Sequence, residues 1–581
     1  MSPDQLTSIV TELEFCLGGT CPTKILHARA GLPRAEDSDS FAAWMGQEAG
    51  KVRALARELF PNAVDVGTTD LAAGWQKTTE LLAASGSVAR AVLVTENAAC
   101  RADVIEGSGS ILRLYTFVPK AVDLEKYRFG LEFTSSSGRL RREWREHFEL
   151  IAFRVWIARQ LFPSHRIVPL VVVPVVGVPC SVEGLHGYFE NRDGRWVLTS
   201  THAAAEANRL LRVMSVAKEC EPLVATVAAR VETLRGFLAK PLAPAIGYHC
   251  KKCEFQVPGV KNGYDQCWGP LARVTPHMFD LAYMYFIHDP DGHPVADRLA
   301  REGRVSMHDI PEDLIAGEYA ERQHMQIEGT SIGREIIRPE LYDALANATY
   351  PMHFLDIEAL RSLVPAHQGL KVNDLALFQF SVHSRASDGA SLTHVEWLNT
   401  EPADPNRRFL AALRAAVGDT GSVCIWTRFE ENSFAELLTE LIAAGVEDED
   451  FDWLRRFLVS GRLLDLHELC FKYYFHPRMK GRTSIKIVLP AVWSEPSPIK
   501  EIAPYNQFAI DPYTLLKSTG AVGDGCAAME AYLAMQMPER REEMGGQLLR
   551  YCGIDTIAMV FIWDYWKWRM AGTHVAGSAG G

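Results

Sequence analysis

The chain has 581 residues, which is enough for about three or four compact domains. Hydrophobic residues make up 48% of it and charged residues 23%, which excludes a collagen-like, coiled-coil or wholly disordered protein. Its 60 basic and 72 acidic side chains give a net charge of −12, so any polyanionic partner must bind a local basic patch.

Residues 1–270 alternate between helical and strand patterns. The predicted elements are a helix at Phe41–Leu59, short strands at Ala91–Thr95 and Ile111–Val118, a helix at His147–Leu161, a buried strand from Ile167 and a long helix at about Ala203–Leu238. The longest apolar run, Ile167–Cys180, is too short to span a membrane and contains prolines, and residues 1–14 lack the basic start of an export signal. We therefore expect a cytoplasmic protein with no membrane partner.

The pattern changes twice further along the chain. Residues 271–350 are mostly helical with proline and glycine breaks, which predicts a helical connector. Two adjacent strand patterns follow, and then helices and strands alternate up to a helix at about 543–570, so 351–572 is predicted to be a second α/β domain. The Gly- and Ala-rich residues 573–581 are expected to form a flexible tail.

Two predicted elements of this second domain carry carboxylates that suit the binding of a divalent metal. Asp356 and Glu358 lie two positions apart in a predicted strand, so both carboxylates project from one face. Tyr551 and Asp555 lie four positions apart in the last predicted helix, so a phenol and a carboxylate share a face there. Carboxylate oxygens are the ligands that Mg²⁺ and Mn²⁺ prefer.

The order of these motifs resembles the DEDD exonucleases of the RNase H-like, DnaQ-like group, in their tyrosine subtype, over about residues 351–570. The middle motif of that group has an asparagine, a short spacer, an aromatic residue and an aspartate. Its best match here is Trp426–Glu430, with threonine for asparagine and glutamate for aspartate. Asp465 matches a further acidic position of the group and therefore competes with Glu430 for this role. Glu430 is the favoured ligand and Asp465 the alternative.

The segments FLDIEA, LFQFSVH, GRTSIKIVLPA and YCGIDTIAM, in this order, also resemble a bacterial family described mainly as a domain of unknown function. The resemblance to the exonucleases implies a mechanism in which two Mg²⁺ or Mn²⁺ ions bind the scissile phosphate. It implies that Asp356 bridges the two ions and that Glu358 and Asp555 complete one of them. Glu430 would hold the second ion, and Tyr551 would orient the attacking water.

A basic and aromatic stretch, Phe471–Lys486, lies between these motifs. Its cations are Lys472, Arg478, Lys480, Arg482 and Lys486, interleaved with Tyr473, Tyr474 and Phe475. Cations hold phosphates and aromatic rings stack on unpaired bases, which predicts an entry path for nucleic acid that is single-stranded or has a free 3′ end. The alternative is a solvated loop over a buried aromatic cluster. Gln379 and His383 either line the same cleft or are satisfied polar residues of the core.

Three cysteines, Cys250, Cys253 and Cys267, crowd into one stretch, which in a cytosolic chain indicates a metal site rather than disulfides. A distant cysteine must complete it, with Cys21 favoured over Cys16. One N-terminal cysteine and a cluster of three around the first domain resemble the iron–sulfur RecB-like nucleases, including small CRISPR-associated ones. That resemblance implies a PD-(D/E)xK fold closed by a [4Fe-4S] cluster; zinc and four unrelated buried thiols are the alternatives.

The nuclease centre of that fold needs an aspartate at the end of one strand and a Glu-x-Lys on the next. Asp103 fits the aspartate, but Lys120 fits the lysine only with a shifted register, and the glutamate is missing. The helix that normally offers a glutamine has Phe153–Trp156 here. We therefore expect a degenerate N-terminal centre, for which Glu96 or Glu149 are conceivable substitutes.

These motifs lead to one principal hypothesis and two alternatives. The principal one is a metal-dependent exonuclease, acting 3′-to-5′ by resemblance, whose C-terminal domain cuts DNA or RNA and whose N-terminal domain binds nucleic acid. The first alternative is a catalytically inactive nucleic-acid-binding or scaffold protein of a repair or defence complex. The second is a dual nuclease with an active RecB-like centre.

Overall fold

The structure, a computed structural model, describes residues 9–35, 40–518 and 522–578. The chain forms a mixed α/β fold that divides into two compact units. The first unit comprises Met1–Ala245, Lys252–Cys267 and Arg361–Asp374, and the second comprises Ile246–Lys251, Trp268–Leu360 and Leu375–Gly581. Residues 1–8, on which the expectation about an export signal depends in part, lie outside the described residues.

The first unit is built on a seven-stranded mixed sheet with a separate two-stranded hairpin. Its strands are β1 (Val10–Thr11), β2 (Val64–Asp65), β3 (Ser87–Val94), β4 (Ala98–Ser108), β5 (Ile111–Phe117), β6 (Arg166–Pro174), β7 (Phe189–Arg192), β8 (Arg195–Leu198) and β9 (Leu211–Ser215). The order across the sheet is β2-β3-β4-β5-β6-β9, and β1 pairs in parallel with β4.

Helices pack around this sheet. They are α1 (Glu12–Thr20), α2 (Thr23–Arg29), α3 (Ser40–Arg57), α4 (Leu71–Ser85), α5 (Leu124–Arg128), α6 (Arg142–Leu161), α7 (Thr201–Ala204), α8 (Glu206–Leu210), α9 (Ala217–Ala239) and α10 (Gly263–Trp268). A capping box between Thr11 and Glu14 starts α1. Helix α6 buries Phe148, Ile151 and Val155 in the core of the unit.

Two sequence predictions in this unit are wrong in part. Strand β4 is missing from the predicted elements, and it lies between the two predicted strands β3 and β5, antiparallel to both. Asp103, which the nuclease resemblance assigns to the end of a strand, lies in the middle of β4. The predicted helix at 203–238 is interrupted by β9, which pairs antiparallel with β6. Pairing with an existing buried strand outweighs the helical spacing of a short apolar segment, because the ladder satisfies its backbone groups.

The second unit contains a five-stranded sheet with the order β13-β12-β11-β14-β15. The strands of this unit are β10 (Ile336–Ile337), β11 (Met352–Leu360), β12 (Ala376–Arg385), β13 (Leu392–Leu398), β14 (Ser422–Ile425), β15 (Leu463–Asp465) and β16 (Tyr474–Phe475). Strands β10 and β16 form a separate two-stranded sheet. Its helices are α11 (Val295–Arg301), α12 (Ala320–Ile332), α13 (Glu340–Ala346), α14 (Asn406–Val417), α15 (Phe429–Ala443), α16 (Glu449–Val459), α17 (Leu466–Tyr473), α18 (Ile485–Trp493), α19 (Pro512–Ser518), α20 (Gly525–Met535) and α21 (Arg541–Ser578). Residues of the predicted connector form α11 to α13 and short 3-10 helices.

Strand β11 lies at the centre of this sheet, antiparallel to β12 and parallel to β14. Leu355 and Ile357 pack into the core on one face, so Asp356 and Glu358 lie on the other, as the alternation predicts. Helix α21 packs along β11 and β12 on this second face. Its backbone stays helical into the predicted tail 573–581, as far as Ser578, beyond which residues are not described.

Candidate metal centre

The predicted acidic residues of the second unit meet at one point. Asp356 and Glu358 come from β11 and Asp555 comes from α21, and one ligand oxygen from each lies within 4.8 Å of the others. Glu358 and Asp555 are buried, whereas Asp356 is partly exposed. Residues about 200 positions apart in the chain therefore form one carboxylate cluster, called the acidic centre below.

The acidic centre is electrostatically strained without a cation. Burial raises the pKa of Asp356, and the nearby Asp555 raises it further. Burial also raises the pKa of Glu358, with additional contributions from Asp356 and Asp555. The Lys486 ammonium opposes these shifts at all three carboxyls. One partly buried lysine thus faces three carboxylates, which leaves the group short of positive charge.

Tyr551 is fixed beside the carboxylates. Lys486 of α18 donates a hydrogen bond from Nζ to Tyr551 Oη at 2.7 Å and also lies 4.7 Å from the centre of the Tyr551 ring. Burial raises the pKa of the Tyr551 phenol, and the charge of Asp555 raises it further. The hydroxyl therefore stays protonated at neutral pH and is held in one orientation.

Two further side chains of the acidic centre carry no signal in the sequence. Tyr513 of α19 is buried and donates a short hydrogen bond to Asp555 Oδ1. The Cys552 thiol donates to Asp356 Oδ2 at 3.1 Å. Tyr513 has no local spacing to any other member of the centre, so only tertiary packing identifies it.

The two candidates for the middle acidic position behave differently. Glu430 lies in the first turn of α15 and is only 2% exposed, and its Oε2 has no hydrogen-bond donor among the described residues. Burial raises the pKa of Glu430, and the Asp356 carboxylate raises it further. Asp465 instead caps α17, where it accepts hydrogen bonds from the backbone N–H groups of His467 and Glu468. Glu430 is therefore the candidate without an alternative structural role.

The middle motif itself makes a sharp turn. Thr427 has a φ of 93°, a left-handed conformation that is unfavourable for a β-branched residue. Its backbone N–H donates to Asp465 Oδ1 at 3.1 Å, which holds the turn in place. Asp465 thus supports the segment that presents Glu430.

Gln379 and His383 hold α21 on the sheet. Gln379 Nε2 donates to the Leu548 carbonyl at 2.8 Å, and His383 Nδ1 lies 2.8 Å from Thr556 Oγ1. Burial lowers the pKa of His383 to about 3, so its imidazole is neutral. These contacts match the interpretation of satisfied core residues only in part, because Gln379 is paired with Glu358 across the strands and its Oε1 has no hydrogen-bond donor among the described residues.

The basic and aromatic stretch divides into an exposed and a buried part. Its exposed cations are Lys472, Arg478, Lys480 and Arg482, whereas Lys486 belongs to the acidic centre. Tyr474 and Phe475 are fully buried, and the Tyr474 hydroxyl donates to Glu335 at 3.0 Å. The base stacking expected of these two rings is therefore excluded in this conformation.

The predicted N-terminal centre contains a built-in cation. Arg154 is 7% exposed; its Nη1 donates to Asp103 Oδ2 at 3.1 Å and its Nε donates to Glu12 Oε1 at 3.0 Å. Asp103 also accepts from the backbone N–H of Phe117. Burial lowers the pKa of Arg154, but Glu12 and Asp103 outweigh this effect and leave its pKa raised. Glu12 was not identified in the sequence because it lies far from Asp103 in the chain.

Lys120 contacts an aromatic ring of the same unit. Its ammonium lies 5.3 Å from the centre of the Trp144 ring. Burial, with a contribution from Lys120, lowers the pKa of His147 to about 4. Glu149, a conceivable substitute ligand, accepts a hydrogen bond from Arg230 at 2.9 Å.

Of the cysteines assigned to the cluster, Cys21, Cys253 and Cys267 belong to the first unit and Cys250 to the second. Cys21 follows α1, and its backbone N–H bonds to the Leu17 carbonyl. His27 Nε2 lies 3.2 Å from Cys267 Sγ, a contact that the sequence did not suggest. The four-cysteine cluster remains a prediction.

A sequence profile of a domain of unknown function (DUF2779) matches residues 353–484. This segment contains Asp356, Glu358, Glu430 and Asp465, but it ends before Tyr551. No curated protein and no solved structure matches the chain. Among the described residues, no helix is long and apolar enough to cross a membrane.

Proposed function

We propose that the chain is a divalent-metal-dependent phosphodiester hydrolase, an exonuclease that acts on DNA or RNA from the 3′ end through the acidic centre. The observation that carries the proposal is the convergence of Asp356, Glu358 and Asp555 within 4.8 Å. Carboxylates at this separation repel one another unless they are protonated or bind a cation. The order of the motifs, which resembles the DEDD exonucleases, supplies the reaction class.

The donor set fits Mg²⁺ or Mn²⁺. All candidate ligands are carboxylate oxygens, the hard donors that these ions select. Glu430 adds a buried acceptor oxygen without a donor among the described residues, which is unfavourable unless a cation or water reaches it. Asp356, Glu358 and Asp555 would hold one ion, and Asp356 and Glu430 a second. Such ions, when bound, activate water and stabilise the leaving oxygen.

The remaining side chains position the reactants. Lys486 Nζ donates to the Tyr551 hydroxyl, which limits the directions in which that hydroxyl can contact a water or a phosphate oxygen. Lys486 adds positive charge where a phosphate would bind. Tyr513 holds Asp555 in its ligand orientation.

We assign nucleic-acid binding rather than cleavage to the N-terminal unit. Arg154 bonds to Asp103 of the predicted centre and to Glu12, so its positive charge lies where a metal ion would otherwise be needed. This argues against the dual-nuclease alternative. An iron–sulfur or zinc cluster, as the cysteine spacing predicts, completes the proposal.

The test is a degradation assay on 5′-labelled single- and double-stranded DNA and RNA with Mg²⁺ or Mn²⁺ and then with EDTA. We expect a metal-dependent ladder that shortens from the 3′ end with the wild type and is absent with Asp356→Asn. Asp388→Asn is the matched control, because Asp388 is an exposed carboxylate that pairs with Lys567 outside the acidic centre.

Other results would select another function. Cleavage that persists in Asp356→Asn but is lost in Asp103→Ala would support an active N-terminal centre. A wild-type protein that shifts oligonucleotides in a gel yet cleaves none with either metal would support the binding or scaffold alternative.

A further inference from the structure

Five aromatic side chains of the second unit form a continuous surface feature, called the aromatic ribbon below. It consists of Tyr285, Phe286, Tyr319, Tyr283 and Phe471. Tyr283 stacks on Tyr319 with ring centres 3.9 Å apart and planes 2° apart. Phe286 lies 5.1 Å from Tyr319, and Phe471 lies 5.6 Å from Tyr283. Tyr283, Tyr285 and Phe286 are 43%, 51% and 55% exposed. Rings of this size are usually buried, so an exposed series of them marks an interaction surface.

A series of contacts connects the aromatic ribbon with the turn before Glu430. The last ring of the ribbon, Phe471, lies 6.4 Å from His467 on α17. The backbone N–H of His467 donates to Asp465, which also accepts from the backbone N–H of Thr427. Thr427 lies in the turn that presents Glu430. The ribbon and the segment that presents Glu430 are therefore linked through α17.

Buried hydrogen bonds fix the backbone that precedes Tyr283. Gln326 accepts from the backbone N–H of Ala282 at 2.9 Å and donates to the Asp280 carbonyl at 2.7 Å. Gln323 donates to the Ala282 carbonyl at 2.9 Å. Both glutamines are buried on α12, and the next residue, Tyr283, has a φ of 53° that turns the chain outward. The exposure of these rings is thus built into the fold.

A basic turn lies against the same segment. A Cβ at Gly481 would lie 2.3 Å from the Asp280 carbonyl oxygen and 2.9 Å from the Ala282 nitrogen, so the two backbones are in direct contact. The residues on either side, Lys480 and Arg482, are exposed, as is the nearby Arg478. Cationic side chains therefore flank exposed aromatic rings, the pairing that binds a phosphate backbone and its unpaired bases.

We propose that the aromatic ribbon binds single-stranded nucleic acid, with bases stacked on Tyr285, Phe286 and Tyr283 and phosphates held by the basic turn. The proposal deepens the proposed function and rests on it for the direction of the strand. A duplex would not suit this surface, because its bases are already stacked internally and unavailable to side-chain rings. The adjacent cations favour a polyanion over an apolar protein partner.

The test measures binding separately from cleavage. Fluorescence polarisation of a labelled 15-nucleotide oligo-dT and oligo-U is followed in EDTA on the Asp356→Asn background, so that no strand is cut. We expect Tyr285→Leu/Phe286→Leu to weaken binding at least tenfold, since leucine keeps apolar area but offers no flat face. Tyr285→Phe should bind normally. Phe129→Leu is the matched control, because Phe129 is 79% exposed in the other unit.

Each outcome separates this proposal from the proposed function. Ring-dependent binding without any metal-dependent cleavage by the parent protein would leave the ribbon supported and overturn the exonuclease. Cleavage by a protein whose oligonucleotide affinity is unchanged in Tyr285→Leu/Phe286→Leu would overturn the ribbon alone. Tighter binding of a matched duplex would also overturn it. So would a dimer, measured by light scattering, that the leucine pair dissociates while oligonucleotide affinity stays unchanged.

Discussion

The two units each bring distant carboxylates together, but they balance the charge in different ways. In the first unit Arg154 bonds directly to Glu12 and Asp103. In the second unit Lys486 bonds to Tyr551 instead of to a carboxylate, and the pKa values of Asp356 and Glu358 are raised. A carboxylate pair with its own guanidinium is a structural element, whereas a cluster short of positive charge is suited to bind a metal ion.

The largest expected effect is the loss of catalysis when a carboxylate of the acidic centre is neutralised. Asp555→Asn should lower kcat by roughly 10⁴-fold, because a lost ligand removes most of the charge stabilisation that a metal supplies. Initial rates with Mn²⁺ measure the loss. Asp103→Asn should leave kcat unchanged, and a comparable loss there would contradict the contrast between the two units.

The reverse contrast is expected for stability. Arg154→Met should lower the free energy of unfolding by about 3–5 kcal/mol, because it leaves two carboxylates without their buried partner. Urea denaturation measures the change. Arg159→Met is the matched control on the same helix, since its pair with Glu221 is exposed and is expected to contribute less than about 1 kcal/mol.

An equal loss of unfolding free energy in Arg154→Met and Arg159→Met would show that Arg154 contributes no more to stability than a surface cation. Added Mn²⁺ tests the comparison further. It should restore part of the stability that Arg154→Met loses, because Glu12 and Asp103 are open to a metal ion once the guanidinium is removed. This measurement is made on an Asp356→Asn background.

A smaller loss of kcat is expected when Tyr551 or Lys486 is replaced. Tyr551→Phe should lower kcat roughly 100-fold, the low end of what a positioned proton donor or acceptor contributes. Lys486→Met should lower it about tenfold, and the double variant should be no slower than Tyr551→Phe, because the two groups share one hydrogen bond. A double variant whose kcat falls by the product of the two single losses would show that Lys486 acts independently of Tyr551.

Spacing along the sequence predicted those pairs of residues that lie on the same strand or the same helix. Alternation along β11 placed Asp356 and Glu358 on one face, and helical periodicity placed Tyr551 beside Asp555. Tyr513 could not be predicted, because its contact with Asp555 arises from the packing of α19 on α21.

The same limit applies to the first unit. Nothing in the sequence links Glu12 to Arg154, since α1 and α6 meet only in the folded chain. Strand β9 was taken for part of a helix because its partner, β6, lies outside the local window. Local patterns therefore identify a face of an element, and tertiary packing decides what that face meets.

The smallest expected effect is a change in the pH dependence of stability. Burial raises the pKa of Glu430 in the folded protein, so the folded state holds a proton that the unfolded chain releases above about pH 4. The metal-free protein should therefore lose stability as the pH rises from about 4 toward 8. Glu430→Gln removes this ionisation and should be more stable than the wild type by roughly 1 kcal/mol at pH 8, with the two converging at low pH.

Urea denaturation in EDTA from pH 4.5 to 8.5 measures this difference. Asp465→Asn is the comparison variant: Asp465 caps α17, so its loss should destabilise the protein across the whole range. Addition of Mn²⁺ at pH 8 should stabilise the wild type more than Glu430→Gln, because the ionised carboxylate then has a cation to bind. A gap in unfolding free energy between wild type and Glu430→Gln that does not widen with pH would mean that Glu430 is not held protonated in the folded protein, and would remove it from the candidate metal ligands.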